Sequence, residues 1–127
     1  NPDLTDRSME KLCLLPDIRI LNVMNLPSIT DYYLEEMRNL TALNCQNCPL
    51  VSEPGLMKLI NIALNLRYLD VKKCRVSNEL LEAAVEVVKS RECRRSLEIS
   101  VDRQLKNKWE KGNNSCPLLI ITDGTED

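Results

Sequence analysis

The chain has 127 residues, 43% of them apolar, with a formal charge of −2, a size and balance that suit one modest domain with a real core. Its 17 Lys and Arg stand against 19 Asp and Glu with no basic block, so charge offers no pull toward nucleic acid or an anionic membrane, and the lack of any His removes imidazole from catalysis and metal binding. No apolar run approaches the roughly 18 residues of a membrane span, and no signal-peptide pattern opens the chain.

Taken in order, the first residues already belong to a repeat. Leu4-Thr5-Asp6, with Met9 and Leu12, has the same offsets as Ile29-Thr30-Asp31, with Leu34 and Met37. The chain opens on Asn1-Pro2-Asp3 and not on Met, so it reads as an excised or processed piece that starts in mid-repeat, with its first strand expected upstream. From Ile18 the pattern is full. Leu21 and Val23 alternate with Ile20, Asn22 and Met24, the period of a strand with one buried face. Pro27 and Ser28 break that strand, and Thr30 or Asp31 can cap a helix running through Leu34 and Met37.

The second repeat carries Leu40, Leu43, Cys45 and Cys48, then Val51-Ser52-Glu53 and a helix through Leu56, Leu59 and Ile60, with Pro54 just inside its start. The third carries Leu66, Leu69, Val71 and Cys74, then Val76-Ser77-Asn78 and a helix through Leu80, Leu81, Ala84, Val85 and Val88. Repeats that begin at Ile18, Leu40 and Leu66 predict a stack of thin layers, none able to close its own core. The shortage of aromatic volume, with no Phe and a single Trp, agrees with layers of Leu, Ile and Val.

Beyond Glu92 the pattern changes. Leu97, Ile99 and Val101 predict a fourth strand, Arg103 to Lys111 a polar helix containing Trp109, and Leu118 to Ile121 a last strand. Residues 1–93 are therefore expected to be repeats, the first one truncated, and residues 94–127 an atypical C-terminal cap ending in an acidic tail from Gly124.

The pattern Leu-x-x-Leu-x-Val-x-x-Cys, followed by Val-Ser or Ile-Thr-Asp and a Leu-x-x-Leu helix, resembles the cysteine-containing leucine-rich repeats of F-box proteins. Leu69-Asp70-Val71-Lys72-Lys73-Cys74 and Leu43-Asn44-Cys45-Gln46-Asn47-Cys48 match best, and the first full repeat has Leu26 at the cysteine place. The resemblance covers roughly residues 4–92 and implies an α/β solenoid, with a parallel sheet on the concave face and helices on the convex face. It also implies a non-enzymatic, protein-binding role as the substrate-recognition part of an F-box subunit of a cullin-based ubiquitin ligase. A Skp-type adaptor would then be met only through an F-box upstream, since none is recognisable in this sequence. A repeat scaffold or assembly factor with no ubiquitin role is the alternative, and an extracellular recognition domain a third.

The six cysteines (Cys13, Cys45, Cys48, Cys74, Cys93 and Cys116) fall on apolar repeat positions and helical faces, which predicts free thiols packed as small hydrophobes and a cytoplasmic or nuclear location. Cys45-x-x-Cys48 lacks a second ligand pair for a structural zinc site, and both cysteines take inward places, so core packing is expected and neither metal nor cofactor is implied. The glycines are isolated and form no phosphate loop.

In a parallel stack the outward strand positions form columns. One is expected to hold Asn22, Asn44, Asp70 and Glu98, its neighbour Met24, Gln46, Lys72 and Ser100, a third Ile20, Ala42 and Tyr68, and a fourth Asn25, Asn47 and Lys73. The candidate partner-binding residues are Tyr68, Asp70, Lys72, Lys73, Asn44, Gln46, Asn22 and Met24, with Tyr68 as an aromatic anchor inside a charged rim. On this reading Leu69→Asp unfolds a layer, whereas Asp70→Ala leaves stability within about 0.5 kcal/mol.

Overall fold

The computed structural model describes residues 18–124, apart from residues 28, 36, 92–94 and 113–115. The expected truncated repeat at Leu4 to Leu12, Cys13, Cys93 and the tail beyond Gly124 lie outside the described residues.

The described elements run β1 (Ile20–Asn22), α1 (Asp31–Leu34), β2 (Ala42–Asn44), α2 (Glu53–Ile62), β3 (Tyr68–Asp70), α3 (Asn78–Ser90), β4 (Leu97–Ser100), α4 (Arg103–Lys111) and β5 (Leu119–Thr122). The five strands form one sheet in chain order, each parallel to its neighbour. Parallel neighbours need a crossover connection, which the helices and turns between strands supply.

Strand alternation sets which side chains go inside. Leu21, Leu43, Leu69 and Ile99 pair in register across four strands, and all are buried. One step beyond the alternation, Val23, Cys45, Val71 and Val101 are wholly buried, as the sequence predicted. The helices close this layer from one side: α2 buries Leu56, Leu59 and Ile60, and α3 buries Leu80, Leu81, Ala84, Val87 and Val88. Each such side chain contributes roughly 1.5–3 kcal/mol.

A local device recurs after each of the first three strands. The side-chain oxygen of Asn22, Asn44 or Asp70 accepts the backbone N–H two residues on, at 3.0–3.1 Å. The next residue, Asn25, Asn47 or Lys73, adopts the left-handed region with φ of 66°, 58° and 63°. Asx side chains favour such turns, and Asn tolerates that backbone better than other non-glycine residues. The chain then turns inward at Leu26, Cys48 or Cys74, all buried.

That geometry explains the cysteine at the ninth repeat place. The Cys48 thiol donates to the Val23 carbonyl at 2.9 Å and the Cys74 thiol to the Cys45 carbonyl at 3.0 Å. Each thiol thus fills a small apolar niche and satisfies a buried carbonyl of the preceding turn.

The helix starts are linked as well. Asp31 accepts from the Ser52 backbone N–H at 2.6 Å and from the Ser52 hydroxyl. Glu53 accepts from the Ser77 backbone N–H at 2.7 Å, from its hydroxyl and from Leu80 N–H. A methyl group at Gly55 would run into the Asp31 carboxyl, so only glycine admits this approach. The helix that Asp31 opens is one turn long. Met37 lies beyond it, its N–H closing on the Leu34 carbonyl at 3.2 Å, and the expected helix through Met37 is corrected accordingly.

Candidate functional site

The strand residues that point away from the helices form two columns in register. One holds Ile20, Ala42, Tyr68, Glu98 and Ile120; the other holds Asn22, Asn44, Asp70, Ser100 and Thr122. The sequence-based columns are therefore right through β3 and slip by two residues at β4, where Glu98 stands beside Tyr68 and Ser100 beside Asp70. No repeat cysteine follows Val101 to fix the register of β4, as Cys48 and Cys74 do for the two strands before it.

Asp70 was expected on the open surface and is 3% exposed, with Ser100 at 1%. Lys72 covers them: its ammonium sits 3.1 Å from Asp70 Oδ2 and 3.1 Å from Ser100 Oγ. At its far end the same side chain occupies the space a Cβ on Gly124 would need, and Gly124 takes a left-handed φ of 77°. Lys72 thus lies flat across three strands, with its (CH₂)₄ stem roofing the acid.

The Tyr68 hydroxyl reaches Asp70 Oδ2 at 3.3 Å, and burial together with the neighbouring Asp70 charge raises its pKa. The tyrosine is half-buried and tied down, so the face presents the edge of a Tyr68–Asp70–Lys72–Ser100 network and not a free ring.

The remaining candidates surround that network. Asn22, Met24 and Lys73 are exposed, while Asn44 and Gln46 are half-buried. Lys73 sits at the turn, its backbone N–H donating to both Asp102 carboxylate oxygens at 3.2 Å, and Asn47 Nδ2 donates to Asn25 Oδ1 at 3.0 Å. The side-chain oxygens of Asn22 and Asn44 are taken up by the turns. Ile20, at 75% exposed, and Ile120 add apolar area at its two edges.

Sequence reasoning missed Ile120 and Gly124 on this face, and also Arg91 behind it. Ile120 alternates with buried Leu119, a signal hidden by the unset register of the last strand. Buried Arg91 donates to the carbonyls of Leu66 at 2.7 Å and Ala63 at 3.3 Å, closing the end of α2 onto the start of β3. Nothing in the repeat pattern marks it.

Among the described residues no group of three or more Cys, Asp, Glu or His side chains could hold a metal ion, and Cys45, Cys48, Cys74 and Cys116 are free thiols. Both cysteines of Cys45-x-x-Cys48 are fully buried, the core role expected of them. No described helix is long and apolar enough to cross a membrane.

No family model matches the chain, and no curated protein sequence matches it either. Among solved structures it is similar to a chain described as "Leiomodin-1 Actin-Binding Site 2 (ABS2)", with a TM-score of 0.62 and 12% identity over 98% of this chain and 83% of that one. At that identity the likeness is one of fold.

Proposed function

We propose that this chain is a leucine-rich-repeat solenoid that binds another protein on the concave face of its sheet and carries out no catalysis of its own. The observation that supports the reading best is the side of the sheet away from the helices. It holds side chains in register from five strands, with exposed Ile20, Met24 and Ile120 around a rigid polar centre. Exposed apolar side chains around fixed polar groups suit protein recognition. The partner is a protein substrate, and the chain serves as the recognition end of an F-box subunit of a cullin-based ubiquitin ligase. The buried thiols that donate to carbonyls of the preceding turn support the cysteine-type repeat on which that assignment rests.

A second reading keeps the protein-binding role without ubiquitin, as a scaffold. It is favoured by the fold likeness to a leiomodin-1 region described as an actin-binding site.

Affinity capture of the full-length protein from cells separates the two. A Skp-type adaptor that co-purifies in near-stoichiometric amount supports the first reading, and partners without the adaptor support the second. The face itself is tested by Ile20→Glu with Met24→Glu and Lys73→Glu. Partner affinity is expected to fall at least about tenfold, roughly 1.4 kcal/mol, with the melting temperature unchanged. Undiminished binding would overturn the assignment of the face.

A further inference from the structure

We propose that Cys45 and Cys74 form an oxidative modification site, in which a hydroperoxide converts the two thiols into an intramolecular disulfide that ties the turn after β3 to the end of β2. Three buried free thiols, Cys45, Cys48 and Cys74, lie just beyond the ends of β2 and β3, and their directions differ. Cys48 Sγ points back toward β1, donating to the Val23 carbonyl at 2.9 Å. Cys45 Sγ points forward, 3.4 Å from the Asp70 carbonyl at the end of β3. Cys74 Sγ lies 3.0 Å from the Cys45 carbonyl, so Cys45 and Cys74 converge from adjoining strands while Cys48 faces away. Of the three, Cys74 alone has measurable exposure, at 9%, and is the sulfur an oxidant meets first.

The surroundings make Cys74 the nucleophile and Cys45 the resolving thiol. Once Cys74 has given up its bond to the Cys45 carbonyl, a side-chain hydrogen bond from Cys45, with help from the backbone N–H groups of Cys48 and Asn47, holds its pKa down to about 7 against the opposing effects of burial and Asp70. The same contact with Cys74, together with burial, raises the pKa of Cys45 and keeps its proton in place. A thiol ionised near neutrality beside a protonated partner is the arrangement that oxidises selectively.

The chemistry balances as follows. The Cys74 thiolate attacks one oxygen of the hydroperoxide and the O–O bond breaks. Cys74 becomes a sulfenic acid, and the departing alkoxide takes a proton to leave as an alcohol, or as water from hydrogen peroxide. The Cys45 sulfur then attacks the sulfenic sulfur; an S–S bond forms, the S–O bond breaks, and hydroxide leaves with the Cys45 proton as water.

The test treats reduced protein with hydrogen peroxide, blocks the remaining thiols, and maps cross-links by tandem mass spectrometry. The expected product has lost two hydrogens and joins Cys45 to Cys74, and Cys48→Ser forms it equally well. Cys45→Ser is expected instead to leave a Cys74 sulfenic acid that dimedone captures. Loss of the free Cys74 thiol should quicken about tenfold between about pH 6 and pH 8 and then level off, where an ordinary thiol would gain nearly a hundredfold and still be climbing. A Cys48–Cys74 link, a link between molecules, or free Cys45 and Cys74 under peroxide that oxidises half-buried Cys116 would each overturn the proposal.

Discussion

The middle of the sheet and its C-terminal end solve the same problem by different means. Around β2 and β3 one set of bonds is used over and over: an Asx side chain caps the turn, a left-handed residue follows, and a thiol closes on the carbonyl behind it. Past β4 each need is met individually. The Asp102 carboxylate takes the Lys73 N–H, Trp109 fills the space under α4, and Arg103 meets Asp123 at 3.3 Å. The chain of helix-start acids also stops here. Asn78 stands where Asp31 and Glu53 stood, and its buried Oδ1 has no hydrogen-bond partner among the described residues. Repetition works while each layer has a successor of its own kind, and the last layers must be finished with side chains chosen one at a time.

The largest test of this contrast is Leu69→Asp. A charge at a fully buried place in the shared column should cost at least about 4 kcal/mol, and loss of the cooperative denaturant transition would report it. Trp109→Ala should cost about 3 kcal/mol and act locally, so hydrogen exchange is expected to quicken in β4 and β5 while β2 and β3 stay protected. Uniform loss of protection would mean the two regions are one cooperative unit.

Asp70→Ala sharpens the comparison at the site. The acid holds a turn N–H, the Tyr68 hydroxyl and the Lys72 ammonium, so its loss should cost about 1–3 kcal/mol in urea titration, not the negligible amount its sequence position implied. Glu53→Ala should cost about 1–2 kcal/mol by the same measurement, because the start of α3 loses its acceptor. Exposed Glu79→Ala, in the first turn of the same helix, is expected to stay within about 0.5 kcal/mol. The smallest effect has the opposite sign. Lys73→Gly relieves a left-handed lysine and should stabilise by up to about 1 kcal/mol in thermal unfolding.

How much of this was legible follows the same division. Leu43, Cys45 and Leu69 could be placed inside from their spacing, because alternation and repetition alone decide which face they take. The parallel order of β1, β2 and β3 followed for the same reason. The slip at β4 was not legible, since no repeat cysteine follows Leu97, Ile99 and Val101 to count back from. Asp70 illustrates a second limit. Alternation places it on the outer face correctly, but whether that face is wet depends on where the flexible Lys72 side chain comes to rest, a matter of three-dimensional reach. Arg91 is a third case, its role set by carbonyls of Ala63 and Leu66 far behind it in the chain.

The carboxylates at the helix starts give the molecule a direction. Asp31 serves Ser52 and Glu53 serves Ser77, so the first residue of each helix reaches forward to the start of the next. Because such a bond couples both partners, loss of Glu53 should loosen the start of α3, and loss of Ser77 should leave the Glu53 carboxylate at the start of α2 without two of its donors. A unit could be spliced out cleanly only with cuts placed to hand the preceding acid to the serine of the next unit.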